Sequence, residues 1–307
     1  MKSSEHIPVL IEEVLNSFSG CQLKVFYDGT LGAGGHANAI LTQHPEIELY
    51  IGADQDESAL SLAKETLKEW KDKVVFVHGN FSELGKHLKD LGVERVDGFL
   101  FDLGVSSMQL DQEKRGFSFL KEGPLDMRMD RTQMLTAKDI VNTWSEKDLG
   151  DLFRDLGEEP RWKRCASAVA KARRKKPLKT TLDLASVIEE ELKTKLRGKL
   201  HPATLVFQAL RMKVNRELES IQAGLRKALE WLHVEGRIGV ISFHSFEDRL
   251  VKTLFREVAK PLKSMDLDQF RPVFEVLTKK PTIPTAKETR KNVRSRSAKL
   301  RVLVRTQ

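Results

Sequence analysis

The sequence predicts an α/β fold, a doubly wound and mainly parallel sheet broken by a helical insertion. Three observations carry this prediction. Short apolar runs at 25–27, 49–53 and 96–101 each end in a carboxylate, at Asp28, Asp54 and Asp102. Such runs suit strands buried on both faces, whose carboxyl ends are where open α/β sheets bind ligands. Segments of helical spacing alternate with these runs, which makes successive strands parallel. Finally, roughly 90 residues of helical character lie between strand four and Phe207, too long for an ordinary crossover.

Residues 6–15 (HIPVLIEEVL) lead into a short helix lying against the first domain. Strand one ends at Asp28 and is followed by Gly29-Thr30-Leu31-Gly32-Ala33-Gly34-Gly35-His36, then a helix over 37–43. Strand, glycine loop and helix in this order let backbone approach a nucleotide-like ligand closely. Against the pattern D-x-G-x-G-x-G, Asp28, Gly32 and Gly34 match, and Thr30 stands in place of the first glycine. The dinucleotide pattern G-x-G-x-x-G fits worse, because no third glycine has the right spacing. Strand two ends at Asp54, about 20 positions past the loop, where a carboxylate can accept from both hydroxyls of a ribose. Asp56 reads as a helix N-cap. The following helix carries Leu60, Ala63, Leu67 and Trp70 as a core stripe. After strand three, 74–77, the ring of Phe81 either stacks on an adenine or staples the next helix.

Strand four feeds a polar loop (Gly104, Val105, Ser106, Ser107, Gln109), then Arg115-Gly116-Phe117-Ser118-Phe119 and the run 123–130, GPLDMRMD. This reads as the junction where the sheet hands the chain to the insertion, with the site at the seam. Helices are expected over 136–144, 146–156, 162–174 and 182–192, broken at 157–160 and at Lys176-Pro177. Ser145 with Asp148, and Thr181 with Asp183, look like caps. The expected domains are therefore 1–112 with 207–307 for the sheet, and 113–206 for the helical insertion. Beyond it, one long helix over 204–232 carries Phe207, Leu210, Val214, Leu218, Ile221, Leu225 and Leu229 at steps of three and four. Asn215 and Arg216 on that helix face either a ligand or solvent. Strand five spans 236–243, and Ser245 with Asp248 is spaced as a capping box. His244, Glu247 and Asp248 are not read as a metal site, since no second cluster completes a ligand set. Strands over 273–279 and 300–304 close the sheet. The loop between them, 281–297, carries Arg294 and Arg296, which either point into solvent or clamp phosphate.

At 307 residues, 40% hydrophobic and 31% charged, the chain can bury one or two cores and is not of disordered composition. No apolar run reaches the ~18 residues of a membrane span, and the N-terminus lacks the pattern of a secretory signal. Cys21 and Cys165 stand apart and read as reduced, buried thiols of a cytoplasmic protein. The net charge of +8 is unevenly placed: 161–179 holds nine Lys/Arg and no acid, and 287–307 holds eight Lys/Arg against one Glu. The remainder is net acidic. Basicity concentrated on an acidic body points to a polyanionic partner, with Arg173, Arg174, Lys175, Lys176, Arg294 and Arg296 as the candidate contacts.

The stretches DLGVSSMQLD, RGFSF and GPLDMRMD, with DGTLGAGGH, HPATLVFQALRMKVNREL, ISFHSFEDR and NVRSRSAKLR, resemble the signature of the bacterial 16S ribosomal RNA cytosine N4-methyltransferase family (RsmH or MraW). The resemblance runs in order along nearly the whole chain. It implies a Rossmann-like, S-adenosylmethionine (SAM)-dependent methyltransferase sheet with a helical substrate-recognition domain inserted after strand four. It further implies SAM as cofactor, held by Gly34, Gly35, His36, Asp54, Phe81, Asp102 and Gln109. The implied partner is 16S rRNA within the small ribosomal subunit, with a target cytidine near the decoding centre. Many amino-methyltransferases of DNA carry S/D/N-P-P-Y/F after strand four, whereas this chain reads Asp102-Leu103-Gly104-Val105-Ser106-Ser107. Amine chemistry thus follows from the resemblance and not from that general motif.

In such a reaction Asp102 either accepts from the reacting amine or holds the cofactor's ammonium, and Phe117 or Phe119 offers a platform for an unstacked base. Two rival functions differ in their partners. A SAM enzyme acting on a protein or small molecule would not need two basic clusters. An assembly factor with a vestigial pocket would not need Gly32, Gly34 and Asp54 intact.

Overall fold

The strands are apolar on both sides, so alternate residues build two separate cores. The computed structural model describes residues 8–192, 201–260 and 272–307. Its chain opens with α1 (Ile11–Phe18), β1 (Val25–Asp28), α2 (Gly35–Gln43), β2 (Leu49–Asp54), α3 (Glu57–Thr66), β3 (Val74–His78), α4 (Leu84–Asp90) and β4 (Val96–Asp102). Then come α5 (Ser107–Asp111), α6 (Ala137–Thr143), α7 (Glu146–Asp155), α8 (Trp162–Lys175), α9 (Thr181–Leu192) and α10 (Thr204–Val214). The chain ends with α11 (Glu217–Trp231), β5 (Leu232–Ser242), α12 (Ser245–Val258), β6 (Phe274–Val276), α13 (Ala286–Lys291) and β7 (Lys299–Arg305).

The strand order is β3-β2-β1-β4-β5-β7-β6. The first five strands are parallel, and β7 runs antiparallel between β5 and β6. Phe26, Tyr50, Leu100 and Val302 fall on one face, with α1 and α2; Tyr27, Ile51, Phe99, Phe101 and Leu303 fall on the other, with α4, α11 and α12. This is the period of two expected of a sheet covered on both sides.

The chain divides into two units, Met1–Gly104 with Leu218–Gln307, and Val105–Glu217. These limits lie outside the 113–206 expected for the insertion. The physical reason is packing: Phe207, Leu210 and Val214 belong to the helical core with Phe117, Phe153 and Val169, and Val105 and Leu110 pack on it.

Nor is 204–232 one helix. The stripe continues across Asn215 and Arg216, but Arg216 is left-handed (φ 50°) and Asn215 caps α10. Asn215 is buried because its side chain holds backbone: its amide donates to Met127 O at 2.8 Å, and its oxygen accepts from Met129 N–H at 2.8 Å. A solvated or ligand-facing Asn215 is thereby corrected.

Two further expectations change. The stretch expected as a basic loop before β7 contains α13 and a short 3₁₀ turn, Val293–Ser297, with Thr285 accepting from Glu288 N–H at the helix start. At α12 the N-cap is His244 rather than Ser245. Glu247 accepts from Phe243 N–H at 2.9 Å, while Asp248 takes Arg301 at 2.7 Å and Lys299 at 3.1 Å. At α9 it is Thr180, not Thr181, that exchanges bonds with Asp183; the Thr181 hydroxyl instead accepts from Gly123 N–H and donates to Lys121 O.

Among the described residues, no helix is long and apolar enough to cross a membrane. Both cysteines are free. Cys165 is buried, and burial pushes its thiol up to about 12, while Cys21 is only half-buried.

Candidate active site

The order β2-β1-β4-β5 sets the carboxyl ends of four parallel strands side by side. Each end brings a carboxylate: Asp54 from β2, Asp28 from β1, Asp102 from β4, and Glu247 just beyond β5. Like charges crowded together in a desolvated place raise one another's proton affinity. Burial, opposed by hydrogen bonds from Thr30 and Tyr50, takes Asp28 to about 7. Burial, opposed by the backbone amides of Asp56 and Gly32, takes Asp54 to about 6. Burial reinforced by Asp28 and Glu247 takes Asp102 to about 8.

The glycine loop is tied into this row. Gly32 N–H donates to Asp54 Oδ2 at 2.8 Å, and Asp54 Oδ1 accepts from Asp56 N–H at 2.8 Å. Asp54 therefore holds the loop and the start of α3 together while its side chain stays half-buried. Gly34 is left-handed (φ 83°) at the start of α2, and a Cβ there would stand 3.1 Å from Leu67. Both conformation and space call for glycine. A Cβ on Gly35 would meet Pro8 at 2.6 Å, because the segment before α1 passes over the loop.

That segment also fixes His36. Its Nε2 lies 2.9 Å from Val9 O, and a carbonyl can only accept, so Nε2 carries the hydrogen. Nδ1 then turns toward Asp102 Oδ2 at 3.7 Å. The other oxygen of Asp102, Oδ1, is buried and has no hydrogen-bond partner among the described residues. A buried acceptor without a donor is costly, and it is matched by a ligand that brings a positive or N–H-bearing group. These groups could hold a nucleoside-like cofactor with a cationic tail, with Asp54 available to a diol, Asp102 to an amine or ammonium, and the glycine loop nearby.

The sequence-derived candidates fare unequally. Gly34, Gly35, His36, Asp54 and Asp102 come together around the glycine loop. Phe81 is buried among sheet and helix side chains, its ring 5.3 Å from Phe101 and against Gly224 of α11. Its ring is thus engaged in packing. Gln109 lies in the other unit, where it exchanges bonds with Ser106 in a capping box that starts α5.

In that unit Phe117 is core, and Phe119 stacks on His201 at 4.4 Å and meets Phe207 edge-on at 5.0 Å. The platform expected of these two rings is already occupied by protein. The run GPLDMRMD is likewise an internal brace: Arg128 makes a two-pronged contact with Asp126 at 2.7 and 2.9 Å, and Arg115 donates to the carbonyls of Arg128 and Met129.

The basic run on α8 divides as well. Arg173 donates to Val141 O and Trp144 O, closing the end of α6, and Arg164 pairs with Glu191. Arg174, Lys175 and Lys176 are all exposed; Lys176 lies near enough to Asp183 for its charge to favour that carboxylate. In the C-terminal cluster, Arg294 and Arg296 lie exposed on the 3₁₀ turn. Glu288 of α13 accepts from Leu10 N–H at 2.8 Å, joining this cluster to the segment that crosses the glycine loop. Sequence reasoning placed Asp28 at a strand end, but it missed Glu247 and Thr30 as neighbours of Asp102. The spacing of His244 and Glu247 was the available signal for the first.

The raised carboxyls make a pH prediction. Groups whose folded pKa exceeds the unfolded value stabilise the fold fully below the unfolded pKa and lose that contribution as pH rises through the folded one. For Asp28, Asp54 and Asp102 the window runs from 3.8 to about 8. Asp126, Asp183 and Asp248 are shifted down by their partners and act in the opposite sense on the acid side. The ligand-free protein is expected to melt highest near pH 4–6 and progressively lower toward pH 8.5, with a shallower decline in Asp102→Asn. Thermal melts from pH 4 to 9 check this; a melting temperature that rises toward pH 8.5 would contradict it.

The family described as the MraW methylase family matches residues 3–306. A ribosomal RNA small subunit methyltransferase H from Protochlamydia amoebophila is 51% identical over 97% of this chain and 96% of its own length. The protein of that name from Persephonella marina is 46% identical over 98% of this chain and 99% of its own. A solved rRNA methylase from Streptococcus thermophilus aligns over 99% of this chain and 100% of its own at 10% identity and a TM-score of 0.45, too distant to inform the site.

Proposed function

The chain belongs to the MraW methylase family, and from that premise we propose that it transfers the methyl group of SAM to a base of small-subunit ribosomal RNA. The finer reading is N4 of a cytidine near the decoding centre, reached in the 16S rRNA of the assembled or assembling small subunit in the cytoplasm. The observation that carries the cofactor half is the row of strand-end carboxylates around a glycine loop, with Asp102 Oδ1 buried and unpartnered among the described residues.

Bound SAM supplies a methyl group on a sulfonium, which departs as a neutral thioether. The protein's part is positioning. Asp54 accepts from the ribose hydroxyls while its bonds to Gly32 and Asp56 keep the loop in register. The exocyclic amine of cytosine is a poor nucleophile because its lone pair is delocalised into the ring. An acceptor aligned with its N–H groups localises that pair, a part open to Asp102 or to a nearby backbone carbonyl; in its other role Asp102 holds the cofactor's ammonium. Its elevated proton affinity favours the ionised form only once a positive or hydrogen-donating partner arrives. A stacked base cannot reach such a site, so the target is single-stranded or flipped out.

Incubating the protein with labelled SAM and either purified small-subunit particles or naked 16S rRNA, then mapping the label, tests this. Label on a cytidine N4 is expected; no transfer to either substrate would overturn the reading.

The RNA half rests on charge. Neutralising Arg174, Lys175 and Lys176 together is expected to weaken RNA binding and leave SAM binding unchanged. Each lost phosphate contact should flatten the log–log salt dependence by about 0.7–0.9. Arg173 is left out because its guanidinium closes α6, so its loss would act on folding. Filter binding between 50 and 200 mM salt reads the slope; an unchanged slope returns this cluster to solvent. The same measurement on Arg294→Ala/Arg296→Ala separates the two clusters.

A further inference from the structure

Thr30 stands where the D-x-G-x-G-x-G pattern has its first glycine, and its side chain makes bonds that glycine cannot. The β1–β4 pairing ends at Asp28 and Leu100, with Gly29 N–H donating to Leu100 O at 2.9 Å. Just past that end, Asp102 N–H donates to Thr30 Oγ1 at 2.6 Å. A hydroxyl that accepts still has its own hydrogen to give, and here it goes to the Asp28 carboxylate, whose Oδ1 also accepts from Thr30 N–H at 3.0 Å. One residue thus joins the ends of two neighbouring strands and the acids at those ends, Asp28 and Asp102.

We propose that Thr30 is a positioning residue for methyl transfer, its hydroxyl fixing the last residue of β4 so that the Asp102 carboxylate stands where cofactor and base need it. The proposal rests on the assignment of Asp102 to the site made above.

The surroundings explain why such a tie is needed. Asp102 faces Asp28 and Glu247, both of which repel its charge, with His36 Nδ1 at 3.7 Å on the other side. Asp28 in turn faces Asp54, Tyr50 and Tyr27. Without a fixed backbone, Asp102 would swing away from its like-charged neighbours, and misplacement of a reacting group by about 1 Å can cost about 10²-fold in rate. Thr30→Val keeps the shape, removes the acceptor from Asp102 N–H and removes a donor from Asp28. Thr30→Ser keeps both bonds. Thr30→Gly restores the general loop pattern and loses both.

The test measures single-turnover methyl transfer to purified small-subunit particles at saturating SAM, with a SAM titration beside it. The proteins compared are the parent, the three Thr30 variants, Asp102→Asn, and Thr30→Val combined with Asp102→Asn. Thr30→Val and Thr30→Gly are expected to be slower by about 10- to 100-fold, and Thr30→Ser to stay within about threefold of the parent. In the Asp102→Asn background, Thr30→Val should add less than about twofold, because the group it positions has already lost its function.

Normal transfer by Thr30→Val, a loss in Thr30→Ser equal to that in Thr30→Val, or an equal cost of Thr30→Val in both backgrounds would each overturn the proposal. If Asp102→Asn alone is normal in rate and in SAM affinity, the assignment of Asp102 fails and the proposal fails with it. That result is distinct from the other three. Should Thr30→Val not fold, Thr30→Gly against Thr30→Ser makes the same comparison across the hydroxyl.

Discussion

Asp102→Asn is expected to slow methyl transfer by roughly the 10²–10⁴ attributed to positioned acid–base groups, at saturating SAM. The substitution keeps the size of the side chain, the bond from Asp102 N–H to Thr30 and the register at the end of β4. What it removes is charge, and it turns one acceptor into a donor. The setting magnifies that change. Oδ1 is buried without a partner among the described residues, and the carboxyl is lifted to about 8 by burial and by Asp28 and Glu247. If Asp102 accepts from the reacting amine, the rate falls and SAM affinity barely moves. If it holds the cofactor's ammonium, affinity falls in parallel with rate. Single-turnover transfer read beside a calorimetric SAM titration separates the two, and a variant normal in both removes Asp102 from the site.

Asp54→Ala is expected to weaken SAM binding by about tenfold to a hundredfold, from the roughly 1.5–3 kcal/mol carried by hydrogen bonds to a charged group. The structure adds a second cause. Asp54 also anchors Gly32 N–H and Asp56 N–H, so alanine frees the glycine loop as well as removing the ribose acceptor. Asp54→Asn separates the causes, since its single oxygen can still anchor one amide; its loss of affinity should be the smaller. Titration of SAM into all three proteins gives the answer, and unchanged affinity in Asp54→Ala would move the ribose site elsewhere.

The sheet and the position of its ligand end were legible because both are local properties. An apolar run ending in aspartate declares a buried strand and the residue at its mouth, and three such runs placed Asp28, Asp54 and Asp102 correctly at strand ends. The helices of the insertion could be read from spacing and from breakers such as Gly157 and Pro160 for the same reason.

The break at Asn215 and Arg216 was not legible. The apolar steps of three and four run straight through it, and only the bonds from Asn215 to Met127 and Met129, far away in the chain, require a turn there. Arg173 read as one more surface charge, since nothing near it in sequence reveals the carbonyls of Val141 and Trp144 that it closes.

Sequence by itself therefore determined the fold class, the glycine loop, three of the four acids in the row (Asp28, Asp54 and Asp102) and the concentration of positive charge. Tertiary structure alone decided which of these groups are already satisfied. Thr30 binds the amide of Asp102 across 72 positions, and His36 meets Val9 on one side and Asp102 on the other. The ring of Phe81 fits against Gly224, and Asp102 keeps a buried oxygen without a donor among the described residues. Hydrogen bonding and desolvation depend on what surrounds a group in space, and strand pairing joins residues that the linear order keeps apart.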